Sequence, residues 1–172
     1  MIILGISCYY HDAAASLIVD GKVVAAAAEE RFSRKKHDSS FPVRAIDFCL
    51  KSAGISSKDV NWVTFYEKPF HKFERINLSH LKTAPFGRGT FVNAYKAWLK
   101  EKLWVKGEIT KRLGISDNKI LFSGHHLSHA ASSFYTSSFK TSALLTVDGV
   151  GEWTTTSWGK GEENKTNLTS EI

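Results

Sequence analysis

Short apolar segments separated by polar turns predict that the chain begins with strands rather than with a helix. Residues 2–7 are rich in β-branched and apolar side chains and predict a first strand. Residues 13–19 and 22–28 predict two more, because the Asp20-Gly21 pair between them is a strong signal for a tight hairpin. The N-terminus is therefore predicted to form a three-stranded meander.

Apolar residues at helical spacing follow the meander. Ile46, Leu50 and Ala53 form one stripe that stops at Gly54, and Pro42 suits the first turn of the helix they predict. The stretch at 68–91 is predicted to be irregular or loop-like, because Pro69, Pro85, Gly87 and Gly89 would break any long element. The remaining predicted elements are a strand at 61–66, a helix at 91–113 with a break at Gly107, a strand at 119–122, a helix from 125 to about 137, and strands at 143–147, 154–159 and 166–172.

This order of elements predicts an α/β fold in which helices flank a mixed sheet. The ribonuclease H-like half of an actin-type ATPase has the same order. At 172 residues the chain is long enough for one domain with a hydrophobic core, and no internal repeat is evident.

Composition argues against a membrane protein and against a secreted one. No apolar run approaches the roughly 18 residues that a membrane-spanning helix needs, and residues 1–5 lack the features of a signal peptide. We therefore expect a cytoplasmic protein with no membrane partner. Cys8 and Cys49 have no metal-ligand spacing and are expected to be buried free thiols.

The net charge of +6 is concentrated in one segment, residues 68–112, which holds eleven Lys and Arg against three Glu. Aromatic residues interleave with these cations, so a module that binds tRNA or another polyanion remains an alternative. We favour a basic helical insertion at about residues 68–113 with its aromatics packed inward, because Tyr95, Leu99 and Leu103 fall at helical spacing. A nucleic-acid partner is accordingly not expected.

Two histidines and a glycine turn are the main candidates for chemistry. His125 and His129 are four residues apart, so on a helix they share one face and can hold a single metal ion. Ordinary helix faces also carry such pairs, and two imidazoles do not complete a site, so Asp148 or an acid further along is needed as a ligand. Asp148, Gly149 and Gly151 follow a predicted buried strand, which suggests a phosphate or nucleotide site.

Two further polar segments lie near the N-terminus. His11 and Asp12 occupy the turn between the first two strands and could present an imidazole to an anion; the alternative is a capped turn with a solvated histidine. Residues 29–38, which include Lys36, combine four cations with three carboxylates. This composition suits phosphate recognition, although a solvated edge has the same appearance.

Four motifs, in the order in which they occur here, resemble those of the O-carbamoyltransferases, which include the nodulation-factor, cephem and aminoglycoside carbamoyltransferases. They are LGIS with YHDAA (residues 4–7 and 10–14), EERFSRKKHDSSFP (29–42), HHLSHAA (125–131) and VDGVGE (147–152). The resemblance covers nearly the whole chain. It implies an actin-like fold related to the tRNA threonylcarbamoyladenosine synthases.

The resemblance also implies a reaction. Carbamoyl phosphate and ATP would give carbamoyl adenylate, whose carbamoyl group then passes to a hydroxyl of a sugar or other small natural product. By position, the resemblance makes His125 and His129 ligands of a divalent metal, iron in these groups. It implies that His11 is a catalytic group, that Lys36 contacts the carbamoyl or phosphate moiety, and that Asp12, Asp148, Gly149 and Gly151 bind substrate or nucleotide.

Members of that family are several times longer than this chain. We therefore expect residues 1–172 to be the N-terminal half of an actin-like carbamoyltransferase domain, with little or no activity in isolation. The expected partners are carbamoyl phosphate, ATP and a small-molecule hydroxyl acceptor, and a homodimer is left open. A rival within the same class is a fragment of an actin-like kinase or ATPase, which would use the glycine turn on ATP without the histidine pair.

Overall fold

The alternating apolar residues of the N-terminus form the antiparallel meander that their spacing predicts. Strand β1 (Ile2–Ser7) pairs with β2 (Ala14–Val19), which pairs with β3 (Lys22–Ala28). Asp20 and Gly21 both have positive φ, 48° and 79°, as a two-residue hairpin turn of this kind requires. The predicted meander and hairpin are confirmed.

The computed structural model describes residues 1–84, 86, 88–100, 102–149 and 151–172. The chain divides into two compact units. Unit 1 comprises Met1–Tyr66 and Ala94–Phe122, and unit 2 comprises Glu67–Asn93 and Ser123–Ile172.

Unit 1 contains a mixed five-stranded sheet in the order β3-β2-β1-β4-β5. Strands β4 (Trp62–Phe65) and β5 (Ile120–Phe122) extend the meander in parallel register beyond β1. Beside the short helix α1 (Glu30–Ser33), helix α2 (Val43–Ser52) lies against β2 and β3. Its buried face contributes to one core with the sheet, and the fully buried members of that core include Leu4, Leu17, Ile46, Cys49 and Val63. Cys8 and Cys49 are both buried, as expected.

Unit 2 contains helix α6 (His125–Phe134) and the antiparallel sheet β6 (Thr141–Val147), β7 (Thr156–Glu162) and β8 (Lys165–Glu171). Phe134 lies in a small core with Ala130 and Leu144. Gly161 permits this packing, since a Cβ there would lie 2.6 Å from the Phe134 ring. The three predicted C-terminal strands are confirmed, while α6 ends three residues before the predicted Ser137.

Two of the sequence predictions for the basic segment are wrong. Residues 69–83, predicted to be irregular, form the 15-residue helix α3 (Pro69–Thr83), in which Pro69 occupies the first turn, where its missing N–H is not needed. Gly107 does not break a helix but lies within α5 (Val105–Leu113), which follows α4 (Arg88–Lys100) and a 3-10 turn at Lys102–Trp104. The predicted breakers Pro85 and Gly87 lie outside the described residues. Among the helices that the structure describes, none is long and apolar enough to cross a bilayer.

Candidate metal centre

Three potential metal ligands converge in unit 2. Helix α6 begins at His125, so His129 lies one turn further along the same face, and the two Nε2 atoms are 3.1 Å apart. Asp148 is the first residue after β6, and its Oδ2 lies 2.6 Å from Nε2 of His125 and 3.8 Å from Nε2 of His129. The structure thus brings together the predicted histidine pair and the predicted carboxylate.

The donor set fits a divalent transition metal. Bonds of about 2.0–2.2 Å to one ion place neighbouring ligand atoms about 3.0–3.5 Å apart, and the three observed separations of 2.6, 3.1 and 3.8 Å bracket that range. Two imidazoles and one carboxylate suit Fe(II), as well as zinc and other divalent metals. His125 is buried, Asp148 half-buried and His129 exposed, so these residues leave one side open on the His129 side.

The protonation of the two histidines differs because their surroundings differ. The pKa of His125 is raised, first by the carboxylate of Glu67, which together with Asp148 outweighs the opposing effect of burial. The pKa of His129 is lowered, because partial burial and the neighbouring His125 both disfavour its cation. His129 is therefore held in the neutral form that binds metals.

A buried ion pair that the sequence analysis did not identify lies next to His125. Oε2 of Glu67 is 2.7 Å from Nζ of Lys72, and both residues are at most 5% exposed. The same oxygen is 3.5 Å from Nδ1 of His125. Burial opposes ionisation of Glu67, but His125 and Lys72 together keep its pKa below the usual value. The sequence pattern that could have revealed this pair is Glu67, two residues before the proline that begins α3, with Lys72 one turn into that helix.

Helix α3 is also tied to the glycine turn (residues 148–152), which carries Asp148. The backbone N–H of Lys68 donates a hydrogen bond to the carboxylate of Glu152. The guanidinium of Arg75 donates to the carbonyl of Gly151 at 2.7 Å. The helix that sequence patterns did not predict therefore helps to hold Asp148, the third potential ligand, in place.

His126 has a structural role beside the ligands. Its Nε2 lies 2.8 Å from the carbonyl of Thr154, which can only accept, so Nε2 carries the proton and Nδ1 accepts from the Thr146 hydroxyl at 2.6 Å. The hydroxyl of Ser157, 2.7 Å from that of Thr146, completes the chain of hydrogen bonds. A Cβ on Gly151 would lie 2.4 Å from the Thr154 oxygen and 2.9 Å from Nε2 of His126, so this network requires a glycine there.

The remaining predicted site residues, His11, Asp12 and Lys36, lie in unit 1. The side chains of His11 and Lys36 are exposed, and the His11 ring contacts that of Tyr10 edge-on. Oδ1 of Asp12 is 2.9 Å from Nδ1 of His37, next to Lys36 in the chain. Asp12, Glu30 and His37 thus form a second, largely exposed polar cluster, to which His11 and Lys36 are adjacent in the chain.

Backbone hydrogen bonds hold the two loops of that cluster together. The N–H groups of Tyr9 and Ala13 donate to the carbonyls of Ser39 and Asp38, each at 2.7 Å. The buried carboxylate of Asp38 accepts from both the N–H and the hydroxyl of Ser40. These hydrogen bonds lower the pKa of Asp38 to about 2, and the bond from the Ser40 hydroxyl has the largest effect. The loop that carries Lys36 is therefore fixed at its end by a charged hydrogen-bond acceptor.

Comparison with known families decides the family of the chain. The family model described as "Carbamoyltransferase N-terminus" matches residues 2–172. The chain belongs to this family. The resemblance found in the four motifs is thereby confirmed.

Two curated relatives illustrate how this family N-terminus occurs in longer proteins. The uncharacterized protein sll1178 of Synechocystis sp. is 52% identical over 170 residues, which are 95% of this chain and 28% of the relative. Nodulation protein NolNO of Sinorhizobium fredii is 35% identical over 147 residues, which are 84% of this chain and 20% of the relative. The chain thus spans about a quarter of the length of these curated relatives.

A solved structure confirms the fold class of this carbamoyltransferase N-terminus. YeaZ from Pseudomonas aeruginosa aligns with 99% of this chain and 65% of its own length, with a TM-score of 0.50 and 12% sequence identity. At that identity the likeness concerns the fold alone. The predicted actin-like α/β fold, with a mixed sheet and flanking helices, is confirmed.

Proposed function

We propose that this chain is the N-terminal part of an ATP-dependent O-carbamoyltransferase and carries its divalent metal site. One observation carries the proposal: within a chain that matches the family from end to end, two imidazole nitrogens and a carboxylate oxygen converge to within 4.8 Å of one another. A kinase-like ATPase needs no such donor set beside its glycine turn.

In the proposed reaction, carbamoyl phosphate, ATP and water give carbamoyl adenylate with release of phosphate and pyrophosphate. The carbamoyl group then passes to a hydroxyl of a sugar or other natural product. The acceptor oxygen forms a bond to the carbamoyl carbon, AMP leaves, and the hydroxyl proton passes to a base. Family membership supports the transfer of a carbamoyl group. A divalent metal, for which we propose iron, would supply Lewis-acid polarisation of a carbonyl or phosphoryl oxygen.

Residues of unit 2 would hold the metal and the nucleotide phosphates. His125 and His129 would donate their Nε2 lone pairs and Asp148 its Oδ2. The backbone of Gly149 and Gly151 in the adjacent turn would approach the phosphates closely, because no side chain stands in the way.

Residues of unit 1 would act on the transferred group. The imidazole of His11 is exposed, so it can take the proton of the acceptor hydroxyl. The ammonium of Lys36 is also exposed and would pair with the carbamoyl or phosphate moiety. Asp12 would support substrate binding from the same loop, where it contacts His37.

Transfer of a radiolabelled carbamoyl group tests the proposal on the longest product of the gene that encodes this sequence. The protein receives labelled carbamoyl phosphate, ATP and a panel of hydroxyl-bearing acceptors. We expect label in an acceptor only when ATP is present, with release of AMP. His125→Ala should lower the rate at least 100-fold, whereas Glu74→Gln, which changes an exposed side chain of α3, should not. Transfer of a phosphoryl group with release of ADP would contradict the proposal and identify a kinase.

A second variant separates binding from transfer. His11→Ala should leave the dissociation constant of ATP unchanged and abolish transfer of the label. Full transfer by this variant would remove His11 from the mechanism.

A further inference from the structure

The metal-facing imidazole of His125 lies between two carboxylates. On one side, Nε2 faces Asp148 at 2.6 Å and His129 at 3.1 Å. On the other side, Nδ1 faces Oε2 of Glu67 at 3.5 Å. The ring therefore presents one nitrogen to the candidate metal position and the other to a carboxylate outside it.

The burial of that second carboxylate costs desolvation free energy, which its ion pair with Lys72 only offsets. Glu67 and Lys72 are 5% and 3% exposed, and a buried ion pair of this kind often stabilises a fold no better than apolar residues of similar size. The oxygen that accepts from Lys72 is also the one that faces His125. One oxygen of Glu67 thus faces both the ammonium of Lys72 and the imidazole of His125.

The chemistry of metal-bound histidines explains this arrangement. A histidine that binds a metal through one nitrogen commonly donates its other N–H to a carboxylate, which fixes the tautomer and the ring orientation. Lys72 would balance the charge of that carboxylate. We propose that Glu67, held by Lys72, is a positioning residue that keeps the Nε2 lone pair of His125 directed at the metal. This inference rests on the metal site of the proposed function.

The other role open to the pair is to stabilise α3 alone. In that case its removal would change the stability of the protein but not the metal affinity of the folded protein. Metal affinity, measured on variants that remain folded, therefore separates the two roles.

Two double variants remove both charges of the Glu67–Lys72 ion pair together. Glu67→Gln/Lys72→Met retains an amide oxygen that can still accept the Nδ1–H of His125. Glu67→Leu/Lys72→Met removes the acceptor altogether. Glu74→Gln, on the exposed side of the same helix, is the matched control for loss of a carboxylate.

The experiment is a titration of the 172-residue chain with Co(II), followed by its visible absorption bands, with circular dichroism to confirm folding. We expect Glu67→Leu/Lys72→Met to bind Co(II) about 10- to 100-fold more weakly than the wild type. Glu67→Gln/Lys72→Met should fall between the two, with shifted absorption bands, and Glu74→Gln should match the wild type.

The outcomes distinguish the inference from the proposal on which it rests. If the wild-type chain does not bind Co(II), or if His125→Ala binds it equally well, the metal site itself is refuted. If the wild type binds and His125→Ala does not, wild-type affinity and an unshifted spectrum in folded Glu67→Leu/Lys72→Met overturn the positioning role of Glu67.

Discussion

Substitution of Gly151 by alanine should disrupt the network that holds the glycine turn. The added Cβ would lie 2.4 Å from the carbonyl oxygen of Thr154 and 2.9 Å from Nε2 of His126. Ordinary contacts of a Cβ begin at 3.4 Å, so the turn has to move by about 1 Å. The oxygen belongs to the backbone and cannot rotate away. The hydrogen bond between His126 and Thr154 therefore has to lengthen or break.

The expected cost follows from two effects. Overpacking of this kind costs about 1–3 kcal/mol. Loss of the hydrogen bond between His126 and Thr154 adds about 1 kcal/mol, because a buried donor and acceptor lose their partner. We therefore expect Gly151→Ala to lower the free energy of unfolding by about 2–4 kcal/mol relative to the matched variant described next.

Gly149 provides that control within the same turn. No described atom lies within 4 Å of the position that its Cβ would take, and its φ lies outside the left-handed region. Gly149→Ala restricts the unfolded chain to the same degree as Gly151→Ala, so the difference between the two variants removes that contribution. Gly149→Ala itself should change stability by less than about 1 kcal/mol.

Urea unfolding followed by tryptophan fluorescence measures both variants. Trp153 lies two residues from Gly151, and Trp158 lies in β7, so unfolding of unit 2 changes their surroundings. Equal free energies of unfolding for the two alanine variants, within about 0.5 kcal/mol, would refute the steric reasoning.

Three further outcomes are expected. Phe134→Ala should cost about 3–5 kcal/mol in urea unfolding, because it empties the small core of unit 2, whereas Phe139→Ala, at a side chain that is 67% exposed, should cost little. Asp38→Asn should lower the urea midpoint at pH 7, and this effect should disappear as the pH falls from about 4 towards 2. The reason is that the Asp38 pKa of about 2 lies below its unfolded value of 3.8, so the carboxylate stabilises the fold only when it is ionised. An effect independent of pH would contradict this. Asp148→Asn should weaken Co(II) binding at least 10-fold in a titration, since a neutral amide is a poorer ligand than a carboxylate; unchanged affinity would show that Asp148 is not a ligand.

Local sequence patterns were sufficient to predict the N-terminal meander and helix α6. The hairpin at Asp20-Gly21 depends on φ values that this pair adopts readily, and the histidine pair depends on helical spacing, so neither needs tertiary information. Helix α3 was missed because Pro69 was interpreted as a breaker, although proline is favoured in a first turn.

The candidate site was only partly predictable for a physical reason. His125 and His129 are four residues apart, and the turn after a strand predicted to be buried pointed to Asp148. The burial itself was predicted wrongly, because β6 exposes one face, on which Leu145 and Val147 are 70% and 74% exposed. Glu67 is 58 residues from His125 along the chain, and its contact with Nδ1 arises only when the segment before α3 comes close to the start of α6 in unit 2. Contacts of that kind carry no signal in local spacing.

The most direct test of the metal centre is an anomalous diffraction measurement at the iron edge, on crystals of this chain grown anaerobically with Fe(II). We expect one strong peak about 2.0–2.2 Å from Nε2 of His125, Nε2 of His129 and Oδ2 of Asp148. An anomalous map with no peak between these three atoms, or with iron bound only elsewhere on the chain, would contradict the proposed metal centre.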